Sequence, residues 1–122
     1  MISELFLLKL PSKVSVWILL IFVIAATGCS LIGEPELTIT WETESELDII
    51  GFNLLRSESE DGPFEKINPD LIPPANDPNV GGEHTYVDSD VVNGVTYFYI
   101  LETIDRQGNS SKSDPIAITA QR

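Results

Sequence analysis

The sequence holds 122 residues, 43% of them hydrophobic and 21% charged, with 8 Gly, 8 Pro, one Cys and one His. That length leaves room for about one small domain and excludes a large multidomain enzyme, while a lone Cys closes no internal disulfide and too few soft ligands exist for a structural zinc cage. Seven Lys and Arg against 19 Asp and Glu give a net charge of -12, which repels phosphate backbones and argues against nucleic-acid binding.

The first element is an apolar run over residues 14–27 (VSVWILLIFVIAAT), preceded by Lys9, Lys13 and a short apolar patch over 5–8. This is the basic and then hydrophobic layout of a secretory signal. As a helix the run reaches only about 20 Å, short of the roughly 30 Å hydrocarbon core, which favours a signal peptide over a permanent span. Residues 1–28 hold two lysines and one glutamate, so 5 of the 7 basic and 18 of the 19 acidic side chains belong to residues 29–122. That remainder reads as a solvated acidic surface that resists aggregation and stands away from anionic headgroups.

Ala26-Thr27-Gly28-Cys29-Ser30 closes the run and resembles the lipobox of bacterial lipoproteins, a processing signal rather than a fold. The resemblance implies that Cys29 is lipidated and becomes the first residue of the mature chain, held in the membrane by its acyl chains. Ser30 after the Cys implies the outer membrane in a gram-negative source. The alternative is a leader kept as a membrane helix with Cys29 free at its end, and the protein is membrane-tethered either way. Residues 1–28 are thus expected as a signal helix, 29–36 as a short tether, and 37–120 as the exported domain.

From Leu37 onward apolar residues alternate, the pattern of strands buried on one face. Leu37, Ile39 and Trp41 share the inner face of a first strand, with Trp41 expected at the centre of the core. Residues 42–48 read as an acidic loop. A second strand over 52–57 turns Phe52 and Leu54 one way and Asn53 and Leu55 the other. Glu60-Asp61-Gly62-Pro63 is turn chemistry, and a short strand comes after it over 64–67. Residues 68–83 hold too many Pro and Gly for a regular element, and read as a crossover in which Leu71 and Ile72 plug the edge of the core. A strand begins over 85–87. The strongest strand, 95–104, turns Tyr97, Tyr99, Leu101 and Thr103 to one face. Residues 106–112 read as a polar hairpin loop and 115–119 as the last strand, giving an all-β antiparallel sandwich of about six strands.

Trp41, Asp48-Ile49-Ile50-Gly51-Phe52, Asp61-Gly62-Pro63-Phe64, Tyr86-Val87-Asp88, Asn93-Gly94-Val95-Thr96-Tyr97-Phe98-Tyr99 and Gly108-Asn109 together resemble the fibronectin type III pattern, an immunoglobulin-like sandwich found in secreted and cell-surface proteins. The resemblance implies that Trp41 is the core Trp of strand B and that Tyr97 is the tyrosine of the E–F corner, its hydroxyl bonded to backbone near Val91. The family's strand A is missing or vestigial, because Gly33 and Pro35 break the stretch before Leu37. One edge of the smaller sheet is then left for a partner strand, a second copy or the membrane surface to cover.

No residue set reads as catalytic. Cys29 is taken by lipid, and His84, the only His, reads as an exposed residue at a strand entrance. Asp88-Ser89-Asp90 with Asn93 offers oxygens but lacks the spacing of a calcium loop; no metal or cofactor is expected. Leu55, Phe98, Ile100 and Ile104 all point outside the larger sheet as a candidate binding patch, unless the Pro-rich crossover folds over them. The expected function is a membrane-anchored, non-catalytic interaction or spacer module of the bacterial cell envelope with a protein or glycan partner. The alternatives are a carbohydrate-binding or adhesion module and an accessory subunit of an envelope enzyme.

Overall fold

The computed structural model describes residues 18–19 and 33–121. Cys29, most of the leader and the start of the tether lie outside the described residues. The strands are β1 (Ile18–Leu19), β2 (Leu37–Thr43), β3 (Ile49–Ser57), β4 (Glu65–Lys66), β5 (Gly82–Asp88), β6 (Thr96–Asp105), β7 (Ser110–Lys112) and β8 (Ile116–Thr119). Every pairing is antiparallel, in one sheet ordered β1-β2-β5 and another ordered β4-β3-β6-β7, with β8 also on β6.

Alternation places the core between the sheets. Leu37, Ile39 and Trp41 of β2 meet Phe52 and Leu54 of β3, Tyr97, Tyr99 and Leu101 of β6, and Ile116 and Ile118 of β8, all buried in one cluster. Trp41 and Phe52 are fully enclosed and meet edge to face, their centroids 5.8 Å apart, a favoured aromatic geometry. The Pro-rich crossover runs along β3: Phe52 and Ile72 exchange backbone hydrogen bonds of 2.8 and 2.9 Å, and Ile72 packs against the core as expected, whereas Leu71 is exposed and does not plug its edge.

The structure departs from the sequence reading at three further places in the fold. Residues 18 and 19, inside the run expected as a signal helix, are extended and pair with Thr43 and Glu42, so that their backbone groups find partners on an edge strand instead of within a helix. Eight strands form among the described residues instead of about six. One of the two additions is β1; the other is β7, drawn from the expected hairpin loop. The Asp105 carboxylate accepts from the backbone N–H groups of Gln107 and Asn109, which tightens the turn and brings Ser110–Lys112 back onto β6. Strand β8 continues on the same side of β6 after a break at residues 113–115. Lastly, Glu42 and Thr43 belong to β2, so the acidic loop is shorter than residues 42–48.

Candidate functional site

Strand β5 turns His84, Tyr86 and Asp88 inward, so a polar row faces the core where the strand pattern leads one to expect aliphatic side chains. Each tip is satisfied. The Tyr86 hydroxyl donates to the Ile67 carbonyl at 3.0 Å. His84 stacks on Trp41 with centroids 5.3 Å apart and lies 4.9 Å from the Phe52 ring, and its Nε2 meets Oε1 of Glu46 at 2.5 Å.

Glu46 is fully buried, although it lies in a stretch that reads as a solvated acidic loop. The Thr43 hydroxyl donates to Oε1 and the Ala75 backbone N–H to Oε2, while Glu46 N–H donates to the Pro78 carbonyl at 2.7 Å. A buried carboxylate needs such partners, because leaving one unpaired is strongly destabilising. Glu46 thereby joins the end of β2, the crossover and β5. His84 is correspondingly a buried partner of Glu46, its side chain 9% exposed, and not an exposed strand-end residue.

A second polar cluster closes the other end of the sandwich. Arg56 comes after Phe52 and Leu54 in the inward phase of β3 and reaches across to Asp88 of the opposite sheet. Its Nη1 lies 2.9 Å from each Asp88 carboxylate oxygen and 2.7 Å from the Asp90 carbonyl, and its guanidinium carbon sits 5.2 Å from the centre of the Tyr97 ring. The Tyr99 hydroxyl donates to Asp88 Oδ2 at 2.7 Å. Burial, and then this bond to an acceptor carboxylate, pushes the Tyr99 hydroxyl far above its ordinary range. Burial pulls the Arg56 guanidinium down, but the hydrogen bonds and charge of Asp88 outweigh it and the net direction is upward. Two shallow depressions, of about 480 and 320 Å³, flank the cluster and share Arg56, Glu65 and Asp90.

The patch singled out in the sequence is assembled on the outer face of the larger sheet. Leu55 and Ile100 are register partners, Phe98 stands between Ser57 and Ala117, and Ile104 pairs with Gly51 and Ser110. Leu55 is buried apart from the core cluster; Phe98, Ile100 and Ile104 are half-buried. Polar residues flank this stripe: the Glu102 carboxylate accepts from the Asn53 side-chain amide at 2.8 Å and from the Ser110 hydroxyl at 2.6 Å. Partial burial raises the Glu102 carboxyl, but these two hydrogen bonds, with Lys112 and Lys66 nearby, hold it below the usual carboxylate range.

Neither polar cluster was anticipated as a unit. The available signal was polar residues in the inward phase of strands, Arg56 on β3 and His84 and Asp88 on β5. Among the described residues no three metal-ligating side chains gather into a metal site, and no helix is long and apolar enough to cross a membrane.

The chain is similar to a stretch of an amylopullulanase. The match, to the protein of Thermoanaerobacter thermohydrosulfuricus, has 32% identity over 91 residues and takes in 72% of this chain. The chain spans about 5% of that relative's length, a segment comparable in size with the sandwich itself. No family model matches the sequence, and no solved structure matches it.

Proposed function

We propose that the chain is a lipid-anchored, non-catalytic interaction or spacer module of the bacterial cell envelope, built on a fibronectin type III-like sandwich. The observation that carries the functional reading is where the ionisable side chains go. Glu46 and His84 are enclosed against Trp41, and Arg56 and Asp88 are tied across the two sheets, so both polar clusters hold the framework together. The sheet order, the enclosed Trp41 and the bond between Val92 N–H and the Tyr97 hydroxyl support the fibronectin type III assignment, given the tyrosine corner of such folds. Lipidation at Cys29 rests on the small residues before it, and two or more acyl chains supply an anchor that one does not.

Feeding cells an alkyne-tagged palmitate tests the anchor. Label is expected on the wild-type protein and absent from Cys29→Ala; an unlabelled wild-type protein overturns it. Pull-down of the labelled protein then identifies its companions.

The similarity to a small part of an amylopullulanase favours a second reading, a carbohydrate-related accessory module using the outer face of Leu55, Phe98 and Ile100. Glycan-array binding lost in Phe98→Ala supports that reading, and absence of glycan binding by the wild type removes it.

A further inference from the structure

We propose that the leader docks on its own domain before it is removed: residues 20–24 continue the pairing begun by β1 and add along the free edge of β2 as an antiparallel strand. The proposal rests on the export-signal reading and deepens it, because processing before Cys29 then uncovers that edge.

The sheet edges differ in how they are protected. Strand β4 has two residues. The β7/β8 side of β6 is broken at residues 113–115, which include Pro115. Strand β5 turns the ionisable His84 and Asp88 inward, and inward charges blunt an edge. Strand β2 has none of these devices. It holds neither Pro nor Lys, its inner row of Leu37, Ile39, Trp41 and Thr43 is buried, and its only charge, Glu42, lies in the outer row. Strand β1 covers Thr43 and Glu42, and among the described residues no strand pairs with residues 37–41 on that side. A regular edge of this kind is a template for a further strand.

The existing pairing names the occupant and its register. Ile18 stands opposite Thr43 and Leu19 opposite Glu42. In an antiparallel pair one chain counts down as the other counts up, so the same register sets Leu20 opposite Trp41, Phe22 opposite Ile39 and Ile24 opposite Leu37. Directly opposed residues share a face. These three therefore lengthen the apolar inner row, while Ile21 and Val23 fall beside Thr40 and Thr38 on the outer face. The segment is uncharged, and its Ile, Val and Phe are residue types that suit a strand. A second copy of the chain brings another net charge of -12 and is repelled.

The chain is long enough to close this arrangement. Thirteen residues separate Leu19 from Gly33; five continue the ladder, and the other eight, Gly28 among them, lead back to Gly33. With Ile24 beside Leu37 the remaining gap is at most about 20 Å, whereas that connection extends to about 30 Å. Pairing also removes part of an apolar run from water until a membrane takes it up.

Cysteine pairing in the full chain tests the register. The chain is made by cell-free translation without membranes, with Cys29→Ala throughout so that no native thiol competes. Under mild oxidation Ile21→Cys with Thr40→Cys, and Val23→Cys with Thr38→Cys, are each expected to form a disulfide, since opposed strand residues lie within its reach. Phe22→Cys with Thr40→Cys is expected to stay reduced, because a one-residue slip puts the two thiols on opposite faces. Cleavage after Glu34 and Glu36 parts the leader from β2, so a disulfide is read as two fragments that separate only on reduction. Hydrogen exchange of the chain without engineered cysteines gives a second reading. Phe22→Asp brings a charge to the inner face and is expected to speed exchange over residues 37–41 by about tenfold, while Ile21→Asp on the outer face is expected to change it by less than about twofold. Absence of both disulfides, an equal yield from the slipped pair, a disulfide between two chains, or exchange that ignores Phe22→Asp overturns the proposal. Lipid label on wild-type Cys29 beside any of those results leaves the anchor standing, whereas both disulfides with an unlabelled Cys29 overturn the anchor and keep the docked leader.

Discussion

The backbone N–H of Val92 donates to the hydroxyl of Tyr97 at 2.8 Å, five residues downstream. Tyr97 points into the core from β6 and reaches back to the loop that delivers the chain into its own strand, with the Arg56 guanidinium packed on its ring. One side chain thus fixes the loop, the strand and the end of the sandwich relative to one another.

Tyr97→Phe keeps the ring and the cation contact and removes only the acceptor. We expect a loss of about 1 kcal/mol, the usual net worth of such a bond, read as a lower urea midpoint with an unchanged slope. An unchanged midpoint assigns the corner no energetic role.

Glu46→Ala removes the acceptor shared by Thr43, His84 and the Ala75 N–H. Breaking a buried pair from one side costs about 3–5 kcal/mol, a large part of the roughly 5–15 kcal/mol that holds a domain of this kind together. Glu46→Gln retains an acceptor oxygen and is expected to cost less. Equal melts for the two variants would show that the carboxylate's partners matter less than its volume.

Gly81 has φ +64°, and a Cβ there would lie 2.0 Å from the Thr43 carbonyl oxygen; Gly108 has φ +84° with nothing within 4 Å. Gly108→Ala therefore carries only the left-handed penalty of about 1–2 kcal/mol. Gly81→Ala must in addition push β2 and the crossover apart, and the two thermal midpoints should differ in that order.

Tyr99 supplies a pH dependence. Its folded hydroxyl titrates above the ordinary value of 10.0 because of burial and then the bond to Asp88, so the unfolded chain ionises first as pH rises. The stability contribution is fully present below pH 10 and is lost as the pH climbs beyond it. Tyrosinate absorbance should therefore develop together with unfolding on the alkaline side. Tyr99→Phe is expected to flatten that limb while lowering stability at neutral pH, since Asp88 loses a donor.

The sequence alone determined the all-strand architecture and most of its core. Leu37, Ile39 and Trp41, or Tyr97, Tyr99 and Leu101, are two residues apart, and two-residue alternation sets which face is inward before any sheet exists. The outward set of Leu55, Phe98 and Ile100 was legible by the same rule. What tertiary structure decided was the environment of the charges. Glu46 and His84 lie 38 positions apart and Arg56 and Asp88 lie 32 apart, so the partner that makes each burial tolerable is absent from its neighbourhood in the chain. Glu46 reads locally as one of a run of solvated acids, and only the approach of His84, Thr43 and the crossover makes it part of the interior. Strand β7 was hidden for a related reason: Ser110, Ser111 and Lys112 have no apolar alternation, and they are extended because a tight turn lays them against β6. Hydrophobic order is written locally along a strand, whereas the pairing of polar groups is a property of distances that exist only after the sheets have met.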